Sequence, residues 1–255
     1  MKTKPVVLFI FLLTLISSLH SQEKRIKYFS FETGMDFISC APPDKDYIRG
    51  DVTPNPYYYE PSYMMALLYK NYVGAKVEVR LANNKLGLAG GLRFTRMESS
   101  LGKNSYWSGR SDFLYLLYRQ QGTVTEYLKI KEISQVTNYL GIPLELRVYP
   151  YAEHFIQLYY KIGADFNVRV RKKTTVDFYD PAMQTYEKEV GRVVEDPWTF
   201  YSTVQLAIGL KIGKTPISGI NIEACAPVAI LANYKSTFVT PQAGGGFQVN
   251  VRFPF

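Results

Sequence analysis

The chain has 255 residues, 47% of them apolar and 15% aromatic, and its 30 Lys and Arg exceed its 22 Asp and Glu for a formal net charge of +8. One β-domain of this length is ordinary, and a second domain is not required. Beyond an apolar run near the start, no stretch is apolar enough to cross a bilayer as a helix; this excludes a helical membrane protein but not a strand-built one, whose lipid face takes only every second residue.

Lys2 and Lys4 precede the apolar run Val6 to Ile16, and small or polar residues follow it. That order predicts a secretory signal peptide over 1–21, cleaved after Ser21, and a single domain over 22–255. No Cys follows the run directly, so a lipid-anchored start is not expected. Loss of Lys2 and Lys4 lowers Lys plus Arg from 30 to 28, still above the 22 acids. A basic chain can address nucleic acid, but an exported one does not normally meet it; anionic lipid head groups are the expected counter-charge. The 21 tyrosines suit a boundary between oil and water, although a Tyr-rich soluble sandwich would carry as many.

The first strand is predicted over Lys27 to Ser39, with Phe29, Phe31, Thr33, Met35 and Phe37 on one face and Ser30, Glu32, Gly34 and Asp36 on the other. Residues 40–68 hold five prolines and read as a long loop, because proline ends strands. A second strand spans Tyr69 to Ala82, alternating Ala75, Val77, Val79 and Leu81 with Lys76, Glu78 and Arg80. Asn83-Asn84-Lys85 is a tight turn, and the third strand runs from Leu86 to Met97 with Arg93 on its polar face. Residues 98–126 form the next long connection. Strand-like stretches at Phe113 to Arg119 and Val124 to Lys131 predict a hairpin beyond the membrane; counted separately it gives a ten-strand alternative.

The fourth strand ends in Tyr139 to Tyr149, where Leu140, Ile142, Leu144, Leu146 and Val148 oppose Pro143, Glu145 and Arg147. A short turn over Pro150 to Glu153 leads to the fifth strand, His154 to Val170, which alternates without a fault and places Lys161, Asp165 and Arg169 on its polar side. Residues 171–196 read as a charged connection with a turn at Asp180-Pro181. The sixth strand is Trp198 to Ile212, with Lys211 on the polar face. The turn Gly213 to Pro216 leads to a seventh strand, where Ile220, Ile222, Ala224 and Ala226 oppose Asn221, Glu223 and Cys225. A loop over Leu231 to Pro241 precedes the last strand, Gly244 to Phe255, with Phe247, Val249, Val251, Phe253 and Phe255 opposite Gln248, Asn250 and Arg252.

Long and short connections alternate, which predicts an all-β fold: an eight-stranded antiparallel up-and-down transmembrane barrel with short turns on one side and long loops outside. Closure would pair the last strand with the first and remove the exposed edge. A soluble barrel with the faces reversed shares the pattern. With the apolar face outward, Glu32, Asp36, Glu78, Glu145, Asp165 and Glu223 meet Lys76, Arg80, Arg93, Arg147, Lys161, Arg169, Lys211 and Arg252 inside. Buried charges must pair, so a salt-bridge core without an open channel is expected. Tyr57, Tyr58, Tyr59 and Tyr63 are the candidate contact surface in the long first loop.

The segment Tyr139-Leu-Gly-Ile-Pro-Leu-Glu-Leu-Arg, the signal followed by Gln22, and the ending Gly-Gly-Gly-Phe-Gln-Val-Asn-Val-Arg-Phe-Pro-Phe together resemble the PorT-like or OmpX-like outer-membrane β-barrel family of Gram-negative bacteria. The resemblance implies an eight-stranded barrel in the cell outer membrane. It makes Phe253 and Phe255 an insertion signal for the barrel-assembly machinery. Lipid is then one partner, and secretion-system or surface proteins are others, since one member type assists a protein secretion system. It supplies no catalytic residues. Small outer-membrane enzymes that this architecture resembles use a His near the outer rim, whereas His154 falls at a short turn; no Cys-x-x-Cys or His pair marks a metal site. The expectation is a non-enzymatic barrel without cofactor or metal, with a small-solute or lipid-handling barrel and an outer-membrane enzyme as alternatives. Cys40 and Cys225 both take polar-face parity near the outer strand ends, and a disulfide between them is left open.

Overall fold

The computed structural model describes residues 26–41, 48–50, 66–102, 114–121, 124–151, 154–214, 217–232 and 239–255. The signal peptide expected over 1–21 lies outside them. Ten strands are present: β1 (Lys27–Ala41), β2 (Ile48–Gly50), β3 (Ala66–Leu81), β4 (Leu86–Gly102), β5 (Leu114–Gln121), β6 (Val124–Val148), β7 (Ile156–Phe178), β8 (Phe200–Ile212), β9 (Gly219–Leu231) and β10 (Thr240–Pro254). Eight of them form a ring in the order β1, β3, β4, β6, β7, β8, β9, β10, every neighbouring pair antiparallel. The ring closes as expected, with Phe29 opposite Phe253 and Met35 opposite Phe247. Closure leaves the eight-strand ring without an unpaired edge, which lipid demands.

One row of paired residues shows the tilt of the strands. It leaves β7 at Tyr160, crosses Ile208, Ala224, Phe247, Met35, Asn71, Arg96 and Asn138, and returns to β7 at Arg171. A closed sheet must stagger in this way.

The two-residue period separates the faces as the sequence predicts. Phe31, Leu92, Leu140, Ile142, Ile162, Ile208 and Phe247 are exposed on the outside, while Glu32, Arg93, Glu145, Lys161 and Glu223 are buried within. The short connections gather at one end of the ring. Among them, Ala82, Asn83 and Asn84 take left-handed backbone with φ of 49°, 55° and 66°, a geometry that asparagine tolerates better than most residues.

At the other end the strands run on past the ring, and here several predicted boundaries are corrected. β4 continues to Gly102 rather than Met97, and β3 begins at Ala66 rather than Tyr69. The hairpin expected around Gln120-Gln121-Gly122 is β5 with the first part of β6; β5 takes the place beside β6 that β4 leaves at Gly102. It belongs to an extension and not to the ring. The stretch 171–196 is not a plain connection: β7 continues to Phe178, followed by a 3-10 turn over Pro181–Tyr186 and a helix α1 (Glu187–Val193). Asp180 caps the turn by accepting from the Ala182 N–H at 2.9 Å, a usual role for Asp before Pro. β2 pairs with β5, so the long first connection is tied to the same extension.

Candidate functional site

The lumen is layered. Its centre is a charge network in which each element contributes from its inward face. Arg93 on β4 donates to both oxygens of Glu32 on β1, at 2.7 and 2.8 Å, and to Asp165 on β7 at 2.6 Å. Lys76 bridges Glu32 and Glu145 at 2.6 and 2.7 Å. Arg147 holds Glu145 at 2.6 Å, Glu78 at 2.9 Å and Glu223 at 3.1 Å. Lys161 pairs with Glu223 and lies 3.6 Å from Glu145. Hydroxyls and amides fill the remaining positions: Tyr159 donates to Glu223 at 2.6 Å, Thr203 to Asp165 at 2.9 Å, and Asn250 to Glu223 at 2.8 Å.

Two inward tyrosines depend on glycine. A Cβ on Gly34 would fall inside the Tyr72 phenol, and one on Gly209 inside the Tyr159 ring. The missing side chains make room for rings that reach the network, with Tyr72 donating to Gln248 at 3.0 Å.

Thirteen of the fourteen residues expected in the lumen are buried there. Arg169 is the exception. It sits at the outer rim, part-exposed, paired with Asp196 at 3.8 Å and donating to the Pro197 carbonyl; it keeps the ring's register but stands opposite Tyr139, at the level of the apolar layer beyond the charged centre. In its place Lys70 enters the network, 3.1 Å from Asp36 and 3.2 Å from Asp165. Lys70 has the same parity as Lys76 and lies inside the strand predicted over Tyr69 to Ala82, so carrying that parity back to the start of the strand would have found it.

Eight inward cations therefore face six acids, and the surplus is localised. Lys70, Lys76, Arg93, Arg147 and Lys161 balance Glu32, Asp36, Glu145, Asp165 and Glu223 in the centre. At the short-turn end, Arg80, Lys211 and Arg252 gather around Glu78. Arg80 pairs with Glu78 and stacks 3.3 Å above the Tyr149 ring. Arg252 lies 4.7 Å over Tyr28, and its guanidinium nitrogens make no hydrogen bond among the described residues. Lys211 is buried with Arg252, Arg80 and Glu78 as its charged neighbours. Aromatic faces stand in for carboxylates here, which cation–π attraction allows.

Above the network the lumen turns apolar. Tyr139, Trp198 and Tyr201 pack with Ile38, Leu68 and Met97, and Tyr139 donates to the Trp198 carbonyl at 3.1 Å. Higher still, Val190 of α1 and Val194 cover a cluster that includes Leu101, Leu128, Ile133 and Phe178. The mouth is thus capped by the extension, and Arg93, Arg147 and Lys161 are fully buried below it.

Cys40 and Cys225 are both free, so the disulfide left open by the sequence is not formed. Cys225 lies opposite Gly246, which pairs with Asp36, and Cys40 stands four residues further along β1. At about 3.3 Å per residue the gap far exceeds the roughly 7 Å between Cα atoms that a disulfide can span. Tyr57, Tyr58, Tyr59 and Tyr63 lie outside the described residues. His154 is exposed at the short-turn end, and among the described residues no group of three His, Cys, Asp or Glu could hold a metal ion.

No protein-family model matches the chain, and no curated protein does. Among solved structures it is similar to the outer membrane protein OprG from Pseudomonas aeruginosa (11% identity, 92% of this chain and 98% of that chain, TM-score 0.42). It is also similar to the translocator domain of autotransporter NalP from Neisseria meningitidis (7%, 99% and 96%, 0.28) and to the transport unit of the autotransporter AIDA-I from Escherichia coli (8%, 97% and 97%, 0.23). These likenesses are distant, and the placement in a membrane rests on the faces of the strands. Phe253, Val251, Val249 and Phe247 look outward in one file along β10 while Arg252, Asn250 and Gln248 are buried. Water would reverse those faces. The protein is a transmembrane β-barrel.

Proposed function

We propose that this is a non-enzymatic outer-membrane barrel with a closed lumen, whose working surface is the extension outside the bilayer, serving surface contact or support of a protein secretion apparatus. The observation that carries the reading is strand length. A crossing needs about 9–11 residues, yet β6 has 25 and β7 has 23. Strand beyond the hydrocarbon does nothing for insertion, so its use lies outside. The β2–β5 pairing ties residues 48–50 of the long first connection to that extension; Tyr57, Tyr58, Tyr59 and Tyr63, further along the same connection, are kept as candidate contacts on their sequence alone. The secretion part of the reading rests on the PorT-like resemblance, as does recognition of Phe253 and Phe255 by the barrel-assembly machinery.

Gly102 and Glu132 are directly paired. Removing 103–131 and joining these two through a short turn therefore keeps every pairing of the eight ring strands except that of Ile130 with Phe178. The shortened protein should fold in the outer membrane, shown by heat-modifiable electrophoretic mobility, and lose the proteins that co-purify with the full chain. Retention of the same proteins would overturn the contact reading. In planar bilayers the full chain should show no steady current; a large steady conductance would favour a small-solute barrel instead.

A further inference from the structure

The outward face of the ring is almost free of charge, but one arc is not. Going from the bilayer towards the outside, Phe94, Leu140 and Val168 are exposed and apolar, and the next outward positions are Arg96, Asn138 and Arg171, then Glu98, Val136 and Lys173. Arg96 meets Glu98 at 3.4 Å with both well exposed, a contact of the kind worth about 0–1 kcal/mol. Arg171 and Lys173 form no ion pair with a described residue. On β8, β9, β10 and β1 the outer end of the belt carries no such cations: Phe200, Leu231 and Phe37 stand there, with Ser39 bonded to Gln242 at 3.4 Å.

A groove of about 480 Å³ runs across the lipid face and ends at this arc. Two consecutive outward rows build it. One is Val249, Thr33, Val73 and Phe94; the other is Phe247, Met35, Asn71 and Arg96. Short side chains at Thr33, Asn71 and Val73 make the floor. Phe94 and Phe247 stand on either side, exposed by 44% and 62%. Asn71 brings an amide into an otherwise apolar stretch, beside the guanidinium of Arg96.

We propose that this groove is a binding site for a phosphorylated lipid of the outer leaflet. An acyl chain lies between Phe94 and Phe247, the Asn71 amide donates to an ester or amide carbonyl near the chain's head, and Arg96 takes the phosphate. Arg171 and Lys173 are two strands away, about 10 Å at the usual spacing between strands, and serve a second phosphate or a neighbouring lipid. Arg suits this role because its fork donates to two phosphate oxygens at once. Continuity of the groove with the apolar belt selects a lipid over a soluble anion.

The test uses the full-length protein in detergent, incubated with lipid A, and counts retained lipid by native mass spectrometry. One lipid should remain on the wild type. Dephosphorylated lipid A should be retained at least fivefold less, and Arg96→Gln should lose lipid A to the same degree, with Arg96→Lys falling between Arg96→Gln and the wild type because it keeps the charge and loses the fork. Val73→Trp fills the floor without changing charge, and should release the lipid although Arg96 is intact. Heat-modifiable mobility checks that each variant is folded. Equal retention of phosphorylated and dephosphorylated lipid, or retention unaffected by Arg96→Gln, would overturn the proposal. So would displacement of lipid A by millimolar inorganic phosphate with unchanged binding to Val73→Trp, which would mark a simple anion site.

Discussion

Replacing Arg93 by Met separates a balanced buried charge from a surplus one. Arg93 is fully buried and donates three short hydrogen bonds to Glu32 and Asp165. Its loss leaves Glu32 to Lys76 alone, and Asp165 to Lys70 and Thr203. The two surplus cations lie at the short-turn end and do not take its place. Hydrogen bonds to charged groups contribute about 1.5–3 kcal/mol each, but removing one partner of a buried network costs about 3–5 kcal/mol in all, because a charge is left uncompensated. Arg93→Met should therefore lose about 3–5 kcal/mol in urea unfolding from lipid vesicles, followed by the fluorescence of the buried Trp198. Adding Glu32→Gln to Arg93→Met should recover part of the loss. Arg252→Met is the control, since its guanidinium has no hydrogen-bond partner among the described residues; it should cost less than about 1 kcal/mol or stabilise. If Arg252→Met costs as much as Arg93→Met, the division of the lumen into a neutral centre and a positive end is wrong.

Gly209→Val should destabilise by about 1–3 kcal/mol, the usual cost of overpacking, because its Cβ would fall inside the Tyr159 ring; the same unfolding assay reads it. In the extension, Glu132 has its pKa raised, first by burial and then by the neighbouring Asp177 carboxylate. The folded state then holds this proton more tightly than the unfolded one, so stability should fall as pH rises from the ordinary carboxylate pKa through the raised one. Glu132→Gln should flatten that slope, measured by protease resistance of the extension between pH 4 and 7; a slope unchanged by the substitution would refute the assignment. Intact mass after alkylation should show both Cys40 and Cys225 modified equally with and without reductant. Absence of both adducts before reduction, with both gained after it, would contradict their separation.

The alternation of residues determined most of the ring. In β1, β3, β8, β9 and β10 nearly every second side chain is apolar because lipid and lumen ask opposite things of neighbouring residues, so strand, face and ring could be read without coordinates. The same logic fails where the bilayer ends. Arg171, Lys172, Lys173, Thr174 and Thr175 continue β7, but water now touches the outward face, the apolar signal stops, and the stretch reads as a loop. Arg169 keeps the inward parity but stands opposite Tyr139, level with the apolar layer and not with the charged centre, and no residue type announces that level. Lys70 joins Asp36 and Asp165 only because tilt brings β1, β3 and β7 to one level. Local period depends on what each flank of a strand touches, and the chain carries that residue by residue. Pairing of charges across the lumen, and the reach of β6 and β7 into an outer cap, depend on stagger and on which strands meet, and those exist only once the ring has closed.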